Sequence, residues 1–229
     1  MLMYQRYAIY YTPPEGALAQ FGAAWLGWDM ARGVAVPHPS LAGLPAPVAQ
    51  ITERPRRYGL HATLKPPFKL APGADAQHLH AALNVFCAAH APVSLPGLIL
   101  APLGRFLALI PTSPCPPLTE LAASVVRDLD DFRAPPDQAT LDRYRTGALS
   151  PAQERNLLDW GYPHVMDAFR FHITLSGKLP KRQTAALGAV LAPVLESLLP
   201  APFIIDALSL VGEDEDGMFH LLQRVSLTG

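Results

Sequence analysis

Cysteine is scarce in this 229-residue chain, with two residues, Cys87 and Cys115. Two isolated thiols make neither a disulfide framework nor the paired ligand spacing of a structural zinc site. Cys87 sits in a helical apolar stretch, where it reads as a small buried hydrophobe. An excess of either charge is also missing. Eighteen Lys and Arg against nineteen Asp and Glu leave a formal net charge of −1, and the pI is near 6.7. No global field therefore recruits a long nucleic acid, although a small phosphorylated ligand could still be held by a local basic patch. Long apolar runs are absent too. "LAPVLESLLPAPFII" is interrupted by prolines and a glutamate, short of the roughly 20 apolar residues of a bilayer span. The opening "MLMYQRYAIYYTPP" has no basic, then apolar, then small-residue leader pattern. These absences lead us to expect a cytoplasmic protein without membrane contact, plausibly monomeric.

Hydrophobic residues make up half of the chain, enough for a substantial core, and proline is plentiful at 25 residues. The prolines cluster between periodic stretches, as in "PHPSLAGLPAP", "PTSPCPP" and "RAPPD", and so punctuate short elements. "RYAIYYTP" alternates as a strand, and "GALAQFGAAWLGWDMAR" has helical spacing with Gly33 as its stop. Two stretches, 34–53 and 133–151, read as long loops. The remainder falls into two similar runs. "RRYGLHATLKPPF" and "FRFHITLSGKL" read as strands, each followed by a helix and then a pair of strands. His61 to Phe106 spans 45 positions and His172 to Phe219 spans 47. Such matched intervals suggest an internal duplication, with pseudo-repeat lobes over about 55–115 and 165–229 of one domain.

His-x-Thr heads each repeat. On a strand, residues i and i+2 share a face, so His61 projects with Thr63 and His172 with Thr174. Leu60, Ala62, Leu64, Phe171, Ile173 and Leu175 then face the core. Two such strands side by side would set two imidazoles and two hydroxyls around one cleft. One imidazole can take a proton while the other gives one, and the hydroxyls can donate to an anion between them. Displacement at phosphorus needs this set, with no metal or other cofactor called for.

The paired motifs, with "LLDWGYPHVMDAFRFH" before the second, resemble the two-histidine (2H) phosphoesterase superfamily. They look most like its bacterial branch associated with phosphonate-utilisation operons. The resemblance implies an α+β, duplicated two-lobe fold, with antiparallel sheets lining a central cleft and helices outside. It also implies His61 and His172 as the catalytic pair and Thr63 and Thr174 as phosphate-binding hydroxyls. Lys65, two residues beyond Thr63, is the best additional phosphate ligand by strand alternation. Arg170, two before His172, and Tyr58, just ahead of the first motif, join it as candidate substrate contacts.

The expected activity is hydrolysis of a small, cyclic phosphodiester by a His/His couple, in a setting of phosphonate metabolism. The rival readings are an enzyme processing RNA 2′,3′-cyclic phosphate ends and a non-catalytic module that binds a nucleotide or phosphometabolite. His78 and His80 point about 200° apart on a helix and do not read as shared metal ligands. "GEDEDG" lacks the ligand spacing of a calcium loop.

Overall fold

The computed structural model describes residues 4–229. Strand β1 (Arg6–Tyr11) leads into helix α1 (Ala17–Leu26) and a small hairpin, β2 (Trp28–Asp29) and β3 (Val34–Ala35). Short helices α2 (Val48–Ile51) and α3 (Glu53–Arg56) precede the first motif strand, β4 (Ala62–Phe68). Helix α4 (Ala76–Ala88) follows, then β5 (Val93–Leu95), β6 (Leu98–Leu103) and β7 (Phe106–Pro111). Helices α5 (Pro116–Asp128), α6 (Gln138–Arg145) and α7 (Pro151–Trp160) lead to the second motif strand, β8 (Ile173–Thr174). Helix α8 (Lys181–Glu196) and strands β9 (Phe203–Ile205), β10 (Ala207–Glu213) and β11 (Phe219–Ser226) complete the chain.

Local chemistry sets several of these boundaries. Asp75 accepts from the His78 amide at the start of α4, and Ser150 with Gln153 closes a capping box on α7. Helix α1 stops at Gly27, not Gly33. Gly27 takes the left-handed conformation at φ +78°, and its amide returns to the Ala23 carbonyl. The tryptophan that would have continued the helix, Trp28, starts the β2–β3 hairpin instead. The two expected loops are not wholly irregular: α2 lies in the first and α6 in the second.

Seven strands form one sheet in the order β11-β10-β1-β4-β8-β7-β6, and every pairing is antiparallel. The fold is thus α+β with an antiparallel sheet. Its strands do not segregate by repeat, however. The β6–β7 hairpin that follows the first motif pairs with β8, the second motif strand. The β10–β11 hairpin that follows the second motif joins β1, which pairs with β4, the first motif strand. Strands β5 and β9, one from each repeat, pair with each other in a separate two-stranded sheet. The hairpin after the first motif thus lies beside the second motif strand, and the hairpin after the second is separated from the first motif strand by β1.

One face of the large sheet packs into the main core, where Tyr7, Ile9, Ala62, Leu64, Ile173 and Leu175 are all buried. Alternate residues of β1 go to the opposite face, where Ala8 and Tyr10 join Trp28, Met30, Val211 and Phe219 in a smaller apolar cluster. That second cluster becomes the floor beneath the first motif.

Lys65 corrects the expectation from simple alternation. Strand β1 pairs Tyr10 with Thr63 but Ile9 with Lys65, so Leu64 is an extra residue, a β-bulge that resets the faces beyond it. Lys65 turns inward and is buried, and its Nζ donates to the Val126 carbonyl at 3.0 Å and to Asp130 Oδ1 at 2.9 Å. It ties β4 to the end of α5 and does not face the motif hydroxyls. Burial lowers its pKa, and Asp130 holds part of it up. Lys65→Ala is expected to cost about 2–3 kcal/mol by urea unfolding, somewhat under the usual cost of breaking a buried pair because Asp130 keeps Arg133. Lys65→Met is expected to stay within about 1.5 kcal/mol of the parent. An alanine variant as stable as the parent would contradict this structural role.

Candidate active site

The two motif strands meet at one antiparallel pair, Ala62 opposite Ile173. Both residues are fully buried in the main core. Their neighbours therefore point to the other face, and antiparallel register sets His61 across from Thr174 and Thr63 across from His172. His61, Thr63 and Thr174 line a cleft of about 420 Å³. His172 is not among the lining residues; its ring lies 5.7 Å from that of Phe106, which is.

Both imidazoles are oriented in the same way. His61 Nδ1 lies 2.9 Å from the Gly59 carbonyl, and His172 Nδ1 lies 2.7 Å from the Arg170 carbonyl. A carbonyl can only accept, so each Nδ1 carries a hydrogen and each Nε2 is left for chemistry. His61 Nε2 receives the Thr63 hydroxyl at 3.2 Å. Gly59 has to be glycine for two reasons: its φ is +65°, and a β-carbon there would lie 2.7 Å from Met30 Sδ.

Beneath the first histidine, Tyr10 stacks on the His61 ring at 4.0 Å, and Tyr58 leans on it at 5.8 Å. Part of the ring opens onto the cleft, but protein encloses the rest. Burial pushes its pKa down to about 4, with the charge of His172 adding to the fall and the Gly59 carbonyl opposing it. His61 is thus neutral at pH 7. The second strand is held mainly by bonds outside the ladder. Trp25 Nε1 donates to the Leu175 carbonyl at 2.7 Å, Ser176 Oγ accepts from the Leu107 amide, and the Gly177 amide donates to the Ile51 carbonyl.

The cleft is rimmed by cations: Arg6, Arg54, Arg57, Arg143 and Lys178 all line it, and among the described residues no carboxylate does. Arg6 forms a two-pronged ion pair with the buried Glu213, which Arg57 approaches at 4.0 Å. Arg54, Arg143 and Lys178 have no ion-pair partner among the described residues. Tyr58, Tyr144 and Tyr162 form an aromatic wall. The arrangement suits an anion flanked by two imidazoles and two hydroxyls. Among the described residues no three His, Cys, Asp or Glu side chains gather as a metal ion would need.

Of the residues singled out from the sequence, His61, Thr63, Thr174 and Tyr58 line the cleft, and His172 packs against Phe106 of its wall. Lys65 and Arg170 do not. The backbone around Arg170 is outside the ladder, because β8 begins only at Ile173. Its side chain folds back to donate to the carbonyls of Asp167 and Phe169 and borders a different cavity. Arg170 serves the site through its own carbonyl, which orients His172. Arg6 and Arg143 are not among the sequence candidates, and Tyr10, which reads first as a packing residue, lies beneath the His61 ring. Arg6 and Tyr10 share a face by the alternation of "RYAIYY", a usable signal; Arg143 is brought in by α6, a polar helix with none.

A family model described as "Protein of unknown function (DUF1045)" matches residues 63–220. The chain is 34% identical to a protein of Janthinobacterium sp. (strain Marseille) named "Ribose 1,5-bisphosphate phosphokinase PhnN", over 98% of this chain and 51% of that protein. A protein of the same name from Laribacter hongkongensis (strain HLHK9) is 37% identical, over 96% of this chain and 51% of its own length. The chain therefore spans about half the length of the curated relatives it matches. Among solved structures, E. coli LigT complexed with 3'-AMP aligns over 99% of this chain and all of its own, at 16% identity and a TM-score of 0.42. TT0787 of Thermus thermophilus aligns over 98% of both chains, at 16% identity and a TM-score of 0.45. Likeness at that level says nothing about activity.

The state of His61 can be read directly. Nuclear magnetic resonance titration of its ring is expected to give a midpoint near pH 4, against about 6.5 in the unfolded chain. Because the folded value is the lower one, neutral His61 adds stability above about pH 6.5 that is lost as pH falls towards 4. A midpoint at or above 6.5 in the folded protein would contradict the neutral assignment.

Proposed function

The chain belongs to the DUF1045 family, and from that premise we propose that it is a two-histidine phosphoesterase opening a small cyclic phosphodiester. The observation that carries this reading is the Ala62–Ile173 pair, which brings both His-x-Thr motifs to one face beside a cleft rimmed by cations. In the proposed reaction, neutral His61 accepts a proton at Nε2 from water as the water oxygen bonds to phosphorus. The phosphorus–oxygen bond to the sugar breaks on the opposite side, and His172, protonated, gives its Nε2 proton to that departing oxygen. Once substrate is bound, the Thr63 hydroxyl turns from His61 Nε2, and it and Thr174 donate to the non-bridging oxygens, where charge builds up. The reaction adds one water, and proton exchange with solvent resets both rings.

His61 is favoured as the base because its depressed pKa leaves Nε2 unprotonated and its Nδ1 hydrogen is committed to Gly59. The aromatic wall and the surrounding arginines suit a sugar phosphate or nucleotide better than a bare anion. The curated relatives are named for ribose 1,5-bisphosphate. That supports a ribosyl cyclic phosphate as the substrate class, in keeping with the phosphonate-utilisation setting implied by the motif resemblance.

The test is turnover of a ribosyl cyclic phosphodiester by the parent, His61→Ala and His172→Ala proteins. Each substitution is expected to lower kcat/KM by about 10²–10⁴-fold, the usual worth of a general acid or base, with circular dichroism unchanged. Full activity in both variants would overturn the mechanism. Tight binding by the parent without turnover would favour the non-catalytic reading instead.

A further inference from the structure

The main cleft does not end at the motif residues. It continues into a second cavity of about 230 Å³, and the two share Arg6, Pro67, Arg143 and Tyr144 in their walls. Lys69 lines only the second cavity, just beyond the end of β4. Lys69 and Arg143 are exposed and have no ion-pair partner among the described residues. Two other cations at this end are already engaged: Arg6 pairs with Glu213, and Arg133 makes a two-pronged pair with Asp130.

One carboxylate, Asp137, also lines the second cavity. It is occupied in capping α6, where Oδ1 accepts the Thr140 amide at 2.9 Å, and Lys69 and Arg143 both help to keep it ionised. Two cations therefore converge on a concave space with one committed carboxylate between them. That leaves an excess of positive charge and free guanidinium and ammonium donors, the chemistry that recognises a phosphate monoester.

We propose that this second cavity is a subsite for a second phosphate on the substrate, held by Arg143 and Lys69 while the cyclic diester lies between His61 and His172. The proposal rests on the phosphoesterase reading for the reacting end of the molecule, and it narrows the substrate class to a sugar bearing two phosphoryl groups. Arg143, which borders both cavities, would span the two ends. Arg6 shapes the passage between them, with its charge balanced by Glu213.

Binding can be measured apart from turnover. Calorimetric titration of the parent with ribose 1-phosphate and with ribose 1,5-bisphosphate is expected to show at least a roughly ten-fold tighter Kd for the bisphosphate, as an added charge-assisted phosphate contact implies. The ratio of the two affinities is expected to fall to within about three-fold in Lys69→Ala/Arg143→Ala, with Lys69→Ala alone intermediate. Arg143→Lys is expected to restore part of the preference. Equal affinities in the parent, an unchanged ratio in the double variant, or binding of neither sugar phosphate would overturn the subsite. If the ratio behaves as expected while no cyclic diester is hydrolysed, the subsite stands and the hydrolytic reading falls.

Discussion

One cross-strand pair, Ala62 against Ile173, governs the geometry of this molecule. Both side chains are fully buried, and a slip of a single residue would send the apolar partners to the cleft and the histidines into the core. The pair is short of support from its own ladder, since β8 has two residues. The neighbouring chain makes up the difference through Trp25 on the Leu175 carbonyl and Ser176 on the Leu107 amide. Strand β1 flanks β4 and β7 flanks β8, so neither motif strand is an edge of the sheet.

The electrostatic design follows from that joint. The histidine on the first strand sits on Tyr10 and a small apolar cluster, which drives it neutral. Around it the cleft is rimmed by arginines, with one buried glutamate tethering Arg6 and approached by Arg57. In the proposed reaction, this unprotonated imidazole beside positive charge takes the proton from water while the anionic substrate occupies the remaining space. The backbone carbonyls of Gly59 and Arg170, each two residues before its histidine, fix the same ring nitrogen in both motifs. Such repetition is what a duplicated strand would produce.

How much of this was visible in the sequence varies residue by residue. The period of two made the faces of His61, Thr63, His172 and Thr174 readable, because the buried positions between them are uniformly apolar. The same rule misplaced Lys65, since a bulge at Leu64 depends on pairing with β1 and leaves no local mark. Arg170 is misplaced by assuming a regular strand where the chain is still irregular, and its guanidinium bonds the carbonyls of Asp167 and Phe169. Arg143 and Lys69 line one cavity because the segment 132–134 pairs with 69–71 just ahead of α6, which no spacing along the chain encodes. The order of the strands was hidden for a similar reason: a repeat in sequence says which elements recur, not which strand each one will pair with.

The central claim is that two histidines from two repeats act on one phosphoryl group. A crystal structure with inorganic vanadate bound would test it most directly. The account predicts an anion between the strands, with His61 Nε2 and His172 Nε2 on opposite sides of it, each within hydrogen-bond reach, and the Thr63 and Thr174 hydroxyls on the oxygens between. Vanadate held by only one of the two imidazoles, or bound away from both, would contradict it.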